Sequence, residues 1–392
     1  MSLEDLQKSN GKRRAQIGRR ELLKSALAVT AGFAAAAPCL ESRERTINGD
    51  SPLPEATSPP QACGSDSAEN LADVRAGRRV DVHLHAILPE YTKALQRAGV
   101  TESSFRKTTA NTPQGFLDAT SELGIDIAIW LPFSGSGIYV KDDASTRYLT
   151  ETTNEAIAAL AANAPKKFGF YAILPLPNVA ASLKQMEYAL DSLHADGIAF
   201  LSTQDGLYIG DPAFEDLYAE MNRRSVMAFV HPARPTYPEP LKVPPAFIEY
   251  TFETTRVAVN LIYNGVMKRY PNIKWVLAHA GGALPYLPMR LEALQGDDVQ
   301  KPTFLERVPE GYLPYLERFY YDVAMAGAAG PIFALTAITD SSHIFYGSDW
   351  PYVPKKYIVE QVVRMKQMPQ FAGDRLPDME RENALHHFRR FS

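Results

Sequence analysis

The chain is poor in the residues and motifs that build several common kinds of site. Its 392 residues include only 2 cysteines, Cys39 and Cys63, both near the N-terminus. Two cysteines cannot supply a disulfide framework or a zinc cluster held by thiolates alone. The sequence contains no G-x-G-x-x-G, P-loop, G-x-S-x-G or H-E-x-x-H pattern. It therefore lacks the usual signatures of dinucleotide, nucleotide-triphosphate, serine-hydrolase and zincin sites.

Neither strong charge nor a long apolar run is present. The 41 Lys and Arg residues nearly balance the 45 Asp and Glu residues, for a net charge of −4. That balance gives no electrostatic footprint for nucleic acid. The apolar run Ser25–Ala37 is shorter than the roughly 20 residues that a spanning helix needs, so we predict no stable membrane span. With 45% hydrophobic residues, the chain can still bury a large core.

The first 40 residues have the character of an export signal. Arg19 and Arg20 precede the apolar run, and small residues follow it at Ala34–Ala37. This order resembles a twin-arginine signal peptide and predicts export to the periplasm or the outside by the twin-arginine export machinery. A cytosolic helix with a basic start and a lipid anchor on Cys39 are the alternatives. Residues 41–76 are rich in proline and serine, and we predict a disordered linker there.

From residue 77 to residue 392 the pattern predicts one folded domain. Short β-branched or aromatic runs alternate with longer amphipathic stretches, as strand–helix units do. Eight such units predict a closed (β/α)₈ TIM barrel of the α/β class. An open doubly wound sheet is the competitor, but it usually has a glycine-rich turn after its first strand, which this chain lacks. The predicted strands are Arg79–His83, Ile125–Leu131, Phe168–Leu174, Gly197–Leu201, Val226–His231, Ile273–His279, Arg318–Val323 and His343–Gly347.

Five titratable residues fall at the ends of predicted strands. His83 and His85 end the first strand, where alternation points both side chains to the same face. His231 ends the fifth strand, His279 the sixth, and Asp349 follows the eighth. The C-terminal strand ends of a barrel meet around one mouth, so these groups should converge there. Separately satisfied polar residues of the core are the alternative. We interpret the other histidines, His194, His343, His386 and His387, as structural or surface residues.

The order H-x-H, H-P, H-A-G-G and G-S-D-W-P resembles the amidohydrolase superfamily over roughly residues 79–390. More narrowly, the chain is similar to the branch of aminocarboxymuconate-semialdehyde, γ-resorcylate and 6-methylsalicylate decarboxylases. Phe252–Arg256 and Gly210–Phe214 are also similar to that branch.

This resemblance implies one divalent metal held by His83, His85, His231 and Asp349. It also implies that His279 serves as an acid/base group that does not bind the metal, with Asp349 assisting it. The fourth strand ends in Ser202 and Thr203 without the lysine of two-metal relatives, which favours one metal.

Three imidazoles and one carboxylate are borderline ligands. They suit Zn²⁺ best, although Mn²⁺ or Fe²⁺ would also bind such a set. Either of two reactions could use this centre. One is non-oxidative decarboxylation of an aromatic or unsaturated carboxylic acid. The other is hydrolysis of a lactone, ester or amide. A non-catalytic binding protein with a vestigial metal site is a third possibility. We predict the decarboxylase, with a small-molecule carboxylate as its substrate.

A carboxylate substrate calls for a cationic partner. Arginine provides a planar pair of donors for this purpose. Arg106, in the insertion after the first strand, and Arg256, after the fifth, are the candidates, with Arg234 a weaker one. Trp350 and Phe133 are candidate aromatic walls of the pocket. Relatives of this kind commonly form dimers, so a homodimer is also expected.

Overall fold

The computed structural model describes residues 68–100, 112–133, 140, 142–235, 242–294 and 301–392 of the chain. The predicted signal and Arg106 lie outside the described residues. Apart from Gln367–Pro369, the described residues form one compact unit, which contains all the described strands. None of the helices among the described residues combines the length and the apolar character that crossing a membrane requires.

Eight parallel strands form one sheet in chain order, which confirms the predicted barrel. Each strand pairs with the next one along the chain, as a right-handed β/α barrel requires. A small antiparallel hairpin, Thr203–Gln204 with Leu207–Tyr208, lies outside this sheet. The barrel strands are β1 Arg79–His85, β2 Ile125–Leu131, β3 Phe168–Ile173, β4 Gly197–Leu201, β5 Met227–His231, β6 Lys274–Leu277, β7 Tyr320–Asp322 and β8 Ile344–Phe345.

The ring closes between β1 and the end of β8. The backbone N–H of Val82 donates to the carbonyl of Tyr346 at 3.1 Å. The N–H of His85 donates to the carbonyl of Trp350 at 2.7 Å. Leu84 and Trp350 form a further parallel bridge. These bonds leave the sheet without two open edges, so the sheet is a nearly closed barrel.

The helices follow the strands as the amphipathic stretches predict, with additions in the connections. The prediction of a disordered linker over residues 41–76 is wrong at its end, because Ala68–Arg75 forms a helix whose Val74 is buried. The α-helices are α1 Ala68–Arg75, α2 Pro89–Arg97, α3 Pro113–Glu122, α4 Asp143–Ala162, α5 Val179–Glu187, α6 Glu215–Arg224, α7 Glu249–Tyr263, α8 Val266–Arg269, α9 Pro288–Leu294, α10 Lys301–Arg307, α11 Leu313–Leu316, α12 Ala329–Thr336, α13 Lys355–Lys366, α14 Arg375–Pro377 and α15 Asn383–His387.

The barrel core is a buried cluster of aliphatic and aromatic side chains to which all the strands except β7 contribute. Tyr320 of β7 packs against the cluster and is itself partly buried. Side chains alternate along a strand, so one set from each strand fills the interior. Leu385 and Phe388 near the C-terminus belong to the same cluster. The C-terminal segment therefore packs with the barrel core, and the opposite end of the strands remains for the site.

Arg79 fixes the start of β1. Its side chain is almost fully buried, and its guanidinium donates to the Glu380 carboxylate at 2.8 Å. It also donates to the carbonyls of Val74 at 2.8 Å and Leu123 at 3.3 Å. One buried cation thus joins α1, β1, the end of α3 and the C-terminal segment. Removing it would leave the partly buried Glu380 carboxylate and the Leu123 carbonyl without this donor, whereas the Val74 carbonyl would keep the N–H of Gly77.

We expect Arg79→Ala to lower the free energy of unfolding by about 3–5 kcal/mol, the range for removing one partner of a buried ion pair. Urea titration followed by circular dichroism measures this loss. Arg364→Ala, which removes an arginine from an exposed pair with Glu360, is the control and should change stability by no more than about 0.5 kcal/mol. Equal effects of the two changes would contradict the role given to Arg79.

Candidate metal centre

The five residues singled out at the strand ends lie together at the C-terminal rim of the barrel. The ring centroids of His83 and His85 are 5.4 Å apart, so alternation along β1 does point both to one space. The His231 ring lies 5.2 Å from that of His83 and 5.0 Å from that of His85. The His279 ring lies 5.0 Å from that of His83. Residues that are far apart along the chain therefore share one small volume.

Asp349 stands at the centre of this group. Its Oδ1 lies 3.1 Å from Nε2 of His85 and 3.4 Å from Nε2 of His83. Its Oδ2 lies 3.4 Å from Nε2 of His279. Asp349 is 5% exposed, so water does not screen these contacts effectively.

The outer nitrogen of each buried imidazole has a fixed acceptor. Nδ1 of His83 donates to the Asp322 carboxylate at 2.8 Å. Nδ1 of His85 donates to the carbonyl of Phe133, and Nδ1 of His231 to the carbonyl of Pro232, each at 2.8 Å. A proton on Nδ1 leaves the Nε2 lone pair free. This is how proteins orient imidazoles that bind a metal.

The inner atoms have no such partners. Nε2 of His83, Nε2 of His85 and Oδ1 of Asp349 are buried without a hydrogen bond. Ligand atoms of His83, His231, His279 and Asp349 all lie within 4.8 Å of one another. Ligands about 2.1 Å from one ion stand a little over 3 Å apart, close to the separations found around Asp349. The donor set therefore fits a divalent metal ion.

Burial and charge set the protonation of these groups. Burial lowers the pKa of His85 and holds the pKa of His231 well below its ordinary value, so both imidazoles are neutral. Burial also lowers the pKa of His83, but the charges of Asp322 and Asp349 outweigh burial and raise that pKa to about 10. Burial raises the pKa of Asp349, yet the imidazoles, His83 above all, hold it well below its usual range.

Two carboxylates that the sequence analysis did not single out support the site. Asp322, fully buried at the end of β7, accepts from His83 Nδ1, from the backbone N–H of His279 at 3.2 Å and from that of Ala324 at 2.8 Å. Asp81 accepts from the backbone N–H groups of His83 and Ser348, and burial raises its pKa to about 7. The sequence offered one signal for Asp322, which lies near the end of a predicted strand, as the other site residues do.

The segment after β6 holds His279 in an unusual backbone conformation. His279 and Ala280 have φ values of 57° and 56°, and Gly281 and Gly282 have 75° and 66°. Non-glycine residues in this left-handed region cost on the order of 1 kcal/mol each and persist only where neighbours hold them. The sequence predicted that this strand ends at His279, which is wrong. β6 ends at Leu277, because His279 has left the extended conformation.

The side chains of the predicted substrate residues have other partners in the structure or lie outside the described residues. Arg256 donates to the buried Glu253 carboxylate at 2.8 Å. Trp350 packs edge to face against Trp130 and Phe116, which accounts for its burial without a substrate. Substrate contacts of Arg106, Arg256 and Trp350 thus stay predictions. By contrast, the Phe133 ring does lie beside the cluster, 5.7 Å from that of His231.

Fold and site together define a TIM-barrel protein with a divalent-metal centre at its C-terminal rim. The model of the protein family described as amidohydrolase matches residues 80–387, and the chain belongs to this amidohydrolase family. It is 32% identical to the decarboxylase yanB of Aspergillus niger over 336 residues, which cover 80% of this chain and 88% of that protein. It is 31% identical to a 6-methylsalicylic acid decarboxylase of Penicillium expansum, over 72% of this chain and 87% of that one.

Solved structures have the same fold. A protein described as amidohydrolase II superposes with a TM-score of 0.72 at 25% identity, over 79% of this chain and 99% of that chain. A dihydroxybenzoic acid decarboxylase from Polaromonas sp. JS666, with bound manganese and 2-nitroresorcinol, superposes with a TM-score of 0.68 at 17% identity. That match covers 80% of this chain and 97% of that chain.

We expect Asp322→Asn to weaken metal binding by about 10–100-fold, the usual effect of losing an outer-shell carboxylate. The asparagine oxygen can still accept from the two backbone N–H groups, which turns its NH₂ group towards His83 Nδ1. His83 must then carry its proton on Nε2, where the metal would bind. Competition with a chelator measures the affinity. Asp211→Asn, at an exposed helix N-cap, is the control, and equal affinities in all three proteins would contradict this role.

Metal binding should release one proton from His83. Its pKa of about 10 leaves it protonated in the metal-free protein at pH 7–8, whereas Asp349 is ionised and His85 and His231 are neutral. Apparent affinity should therefore rise roughly tenfold per pH unit up to about pH 10. Calorimetric titrations in buffers of different ionisation enthalpy report the number of protons released. A count near zero at pH 7.5 would show that His83 is not protonated beforehand.

Proposed function

We propose that this chain is a metal-dependent decarboxylase that removes carbon dioxide non-oxidatively from an aromatic carboxylic acid. The single observation that carries the proposal is the convergence of three imidazoles and one carboxylate on one buried point beside His279. These four groups belong to His83, His85, His231 and Asp349. Relatives at 31–32% identity that match most of their own length are named decarboxylases, one of them of 6-methylsalicylic acid. They favour decarboxylation over the other reactions that such a centre supports.

His83, His85, His231 and Asp349 would hold the ion, and Zn²⁺ is the metal we propose. Three nitrogen donors and one oxygen donor favour Zn²⁺, with Mn²⁺ and Fe²⁺ as alternatives. Nε2 of His85 is buried, has no hydrogen bond, and belongs to an imidazole that burial keeps neutral. These are the properties of a ligand. His279 belongs to the same close group, so a role for it as the ligand in place of His85 is the alternative.

The chain's own residues then divide the remaining work. A bound divalent ion would supply a positive charge for the carboxylate of the substrate. The side chain of His279 is 13% exposed, whereas those of His83 and His85 are fully buried, so His279 is the imidazole that an incoming substrate can reach. Its Nε2 can hold the proton that replaces carbon dioxide on the ring carbon. Oδ2 of Asp349 lies 3.4 Å from that nitrogen and can stabilise its protonated form.

Hydrolysis of a lactone, ester or amide is the second candidate. The His279–Asp349 pair can accept a proton from an attacking water, and a divalent ion held by the same residues would supply positive charge for the carbonyl oxygen. The observation that favours it is the family itself, whose name refers to hydrolysis. Carbon dioxide release separates the two reactions directly.

Metal-loaded protein should release carbon dioxide from a panel of 2-hydroxybenzoates, including 6-methylsalicylate, and a chelator should abolish the release. His279→Gln should lower kcat by about 10²- to 10⁴-fold, the usual contribution of a proton-transfer group, with metal content unchanged. His85→Gln should lose the metal. Turnover of lactones and esters, tested in parallel, would indicate a hydrolase. Carbon dioxide at background level across the panel, with lactone turnover, would overturn the decarboxylase.

We further propose export through the twin-arginine pathway, on the strength of Arg19 and Arg20 and the apolar run behind them. Arg19→Lys together with Arg20→Lys should keep the full-length chain in the cytoplasm of a bacterium that has this pathway. Cell fractionation measures the distribution. An unchanged distribution would remove the export proposal and leave the enzyme assignment intact.

A homodimer is also proposed, since several large apolar side chains are exposed in the segments that follow the strand ends. Phe247, Tyr286 and Met289 are 74%, 86% and 78% exposed. Light scattering of the purified protein gives the oligomeric state.

A further inference from the structure

Helix α7 connects to the two loops that carry His231 and His279. The loop after β5 follows His231, the last residue of that strand, and the loop after β6 contains His279. Thr255 of α7 bonds the loop after β6 directly. Glu253, two residues earlier on α7, reaches the loop after β5 through Ser202. The sequence stretch Phe252–Arg256, of which only Arg256 has been considered as a substrate residue, therefore supports the site from outside.

Glu253 is a fully buried carboxylate with three donors. Ser202 Oγ donates to its Oε2 at 2.9 Å, and Tyr208 Oη donates to its Oε1 at 2.8 Å. Arg256, in the next turn of the helix, donates to the same Oε1 at 2.8 Å and supplies a compensating charge. A buried carboxylate with this many partners is held rigidly, because losing any of them carries the cost of desolvation.

Ser202 passes this constraint to the loop that carries His231. Its Oγ accepts from the backbone N–H of Ala233 at 2.9 Å, and its own N–H donates to the His231 carbonyl at 2.8 Å. Pro232, between these two anchored residues, offers the carbonyl that accepts from His231 Nδ1. Glu253 and Ser202 thus fix the acceptor that keeps the His231 proton on Nδ1 and its Nε2 lone pair towards the centre.

Thr255 acts on the other loop. Its Oγ1 accepts from the backbone N–H of Ala283 at 2.9 Å. A Cβ placed on Gly282 would lie 2.1 Å from the carbonyl oxygen of Thr251, so the helix and this loop are in direct backbone contact. Four successive residues from His279 to Gly282 have positive φ values. A segment in that conformation needs outside contacts to keep it there, and α7 provides them on one side.

We propose that Glu253, acting through Ser202, and Thr255 are positioning residues that set His231 and His279 in place from one helix. Neither side chain is placed at the reacting atoms. The contacts made by Glu253 and Ser202, called the Glu253 arm, control metal affinity and ligand geometry through His231. The Thr255 arm controls the placement of His279 without changing the metal ligands. The kinetic part of the test rests on the proposed function, and the metal and resonance measurements do not.

The Glu253 arm is tested with Co²⁺ bound to the purified full chain, in the absence of substrate. Ser202→Ala and Glu253→Ala should each weaken Co²⁺ binding by about 10–100-fold and shift its visible absorption spectrum. Glu253→Gln, which keeps the shape and one acceptor, should recover part of the affinity. Asn260→Ala is the control, since Asn260 donates from the same helix to the carbonyl of Ile209 and, among the described residues, forms no hydrogen bond with either histidine loop.

The Thr255 arm is tested with Thr255→Val, which removes the hydroxyl and keeps the volume. Thr254→Val is a matched control, because Thr254 is also buried on the same helix and bonds only the carbonyl of Tyr250 within it. In protein labelled with ¹³C at histidine Cε1, Thr255→Val should move the His279 resonance, identified by its loss in His279→Gln. It should also lower kcat about tenfold with KM and Co²⁺ affinity within threefold.

Folded variants of Ser202 and Glu253 that bind Co²⁺ with unchanged affinity and spectrum would overturn the first arm. An unmoved His279 resonance in Thr255→Val, or an equal movement in Thr254→Val, would overturn the second. If the unmodified protein releases no carbon dioxide, the proposed function fails while both of these measurements still decide the positioning roles.

Discussion

The pairing between the first strand and the segment that follows the last strand is the interaction on which the site depends. The His83 carbonyl accepts from the backbone N–H of Asp349 at 2.7 Å, and the His85 N–H donates to the Trp350 carbonyl at 2.7 Å. These bonds close the ring and, at the same time, place the carboxylate between two imidazoles. Barrel closure and assembly of the centre are therefore one event, and a chain that fails to close cannot hold the ion with these residues.

The other site residues reach the centre because parallel strands end at one rim. His231 ends β5, and His279 follows the neighbouring strand β6. Thr255 of α7 bonds the loop of His279 directly, whereas Glu253 of α7 acts on the loop of His231 through Ser202. Asp322, on the strand after these, ties His83 to the backbone of His279. Buried hydrogen bonds thus support several residues of the centre from outside, which fits a site that must hold imidazoles and a carboxylate in fixed positions.

Much of this arrangement could be predicted from the sequence. Strands with β-branched residues are short and regular, so their order and number follow from periodicity, and barrel geometry then brings His83, His231 and Asp349 to one rim. Asp322 and Asp81 escaped because their partners are backbone and imidazole groups, whose positions exist only after folding. The end of β6 was misplaced for a related reason. The positive φ of His279 occurs in a segment that bonds Asp322 and α7, and these contacts between distant residues cannot be read from the local sequence.

The balance of protonation explains why one carboxylate suffices at the centre. In the metal-free protein, Asp349 faces one protonated imidazole, His83, whose second charge partner is Asp322. A divalent ion that displaces the His83 proton adds one net positive charge to a pocket that already holds both carboxylates. Asp322 remains bonded to Nδ1 and strengthens Nε2 as a donor. The empty pocket thus has one protonated imidazole against two carboxylates, and a bound divalent ion would balance both carboxylates. Asp322 supplies one of these two negative charges from outside the ligand set.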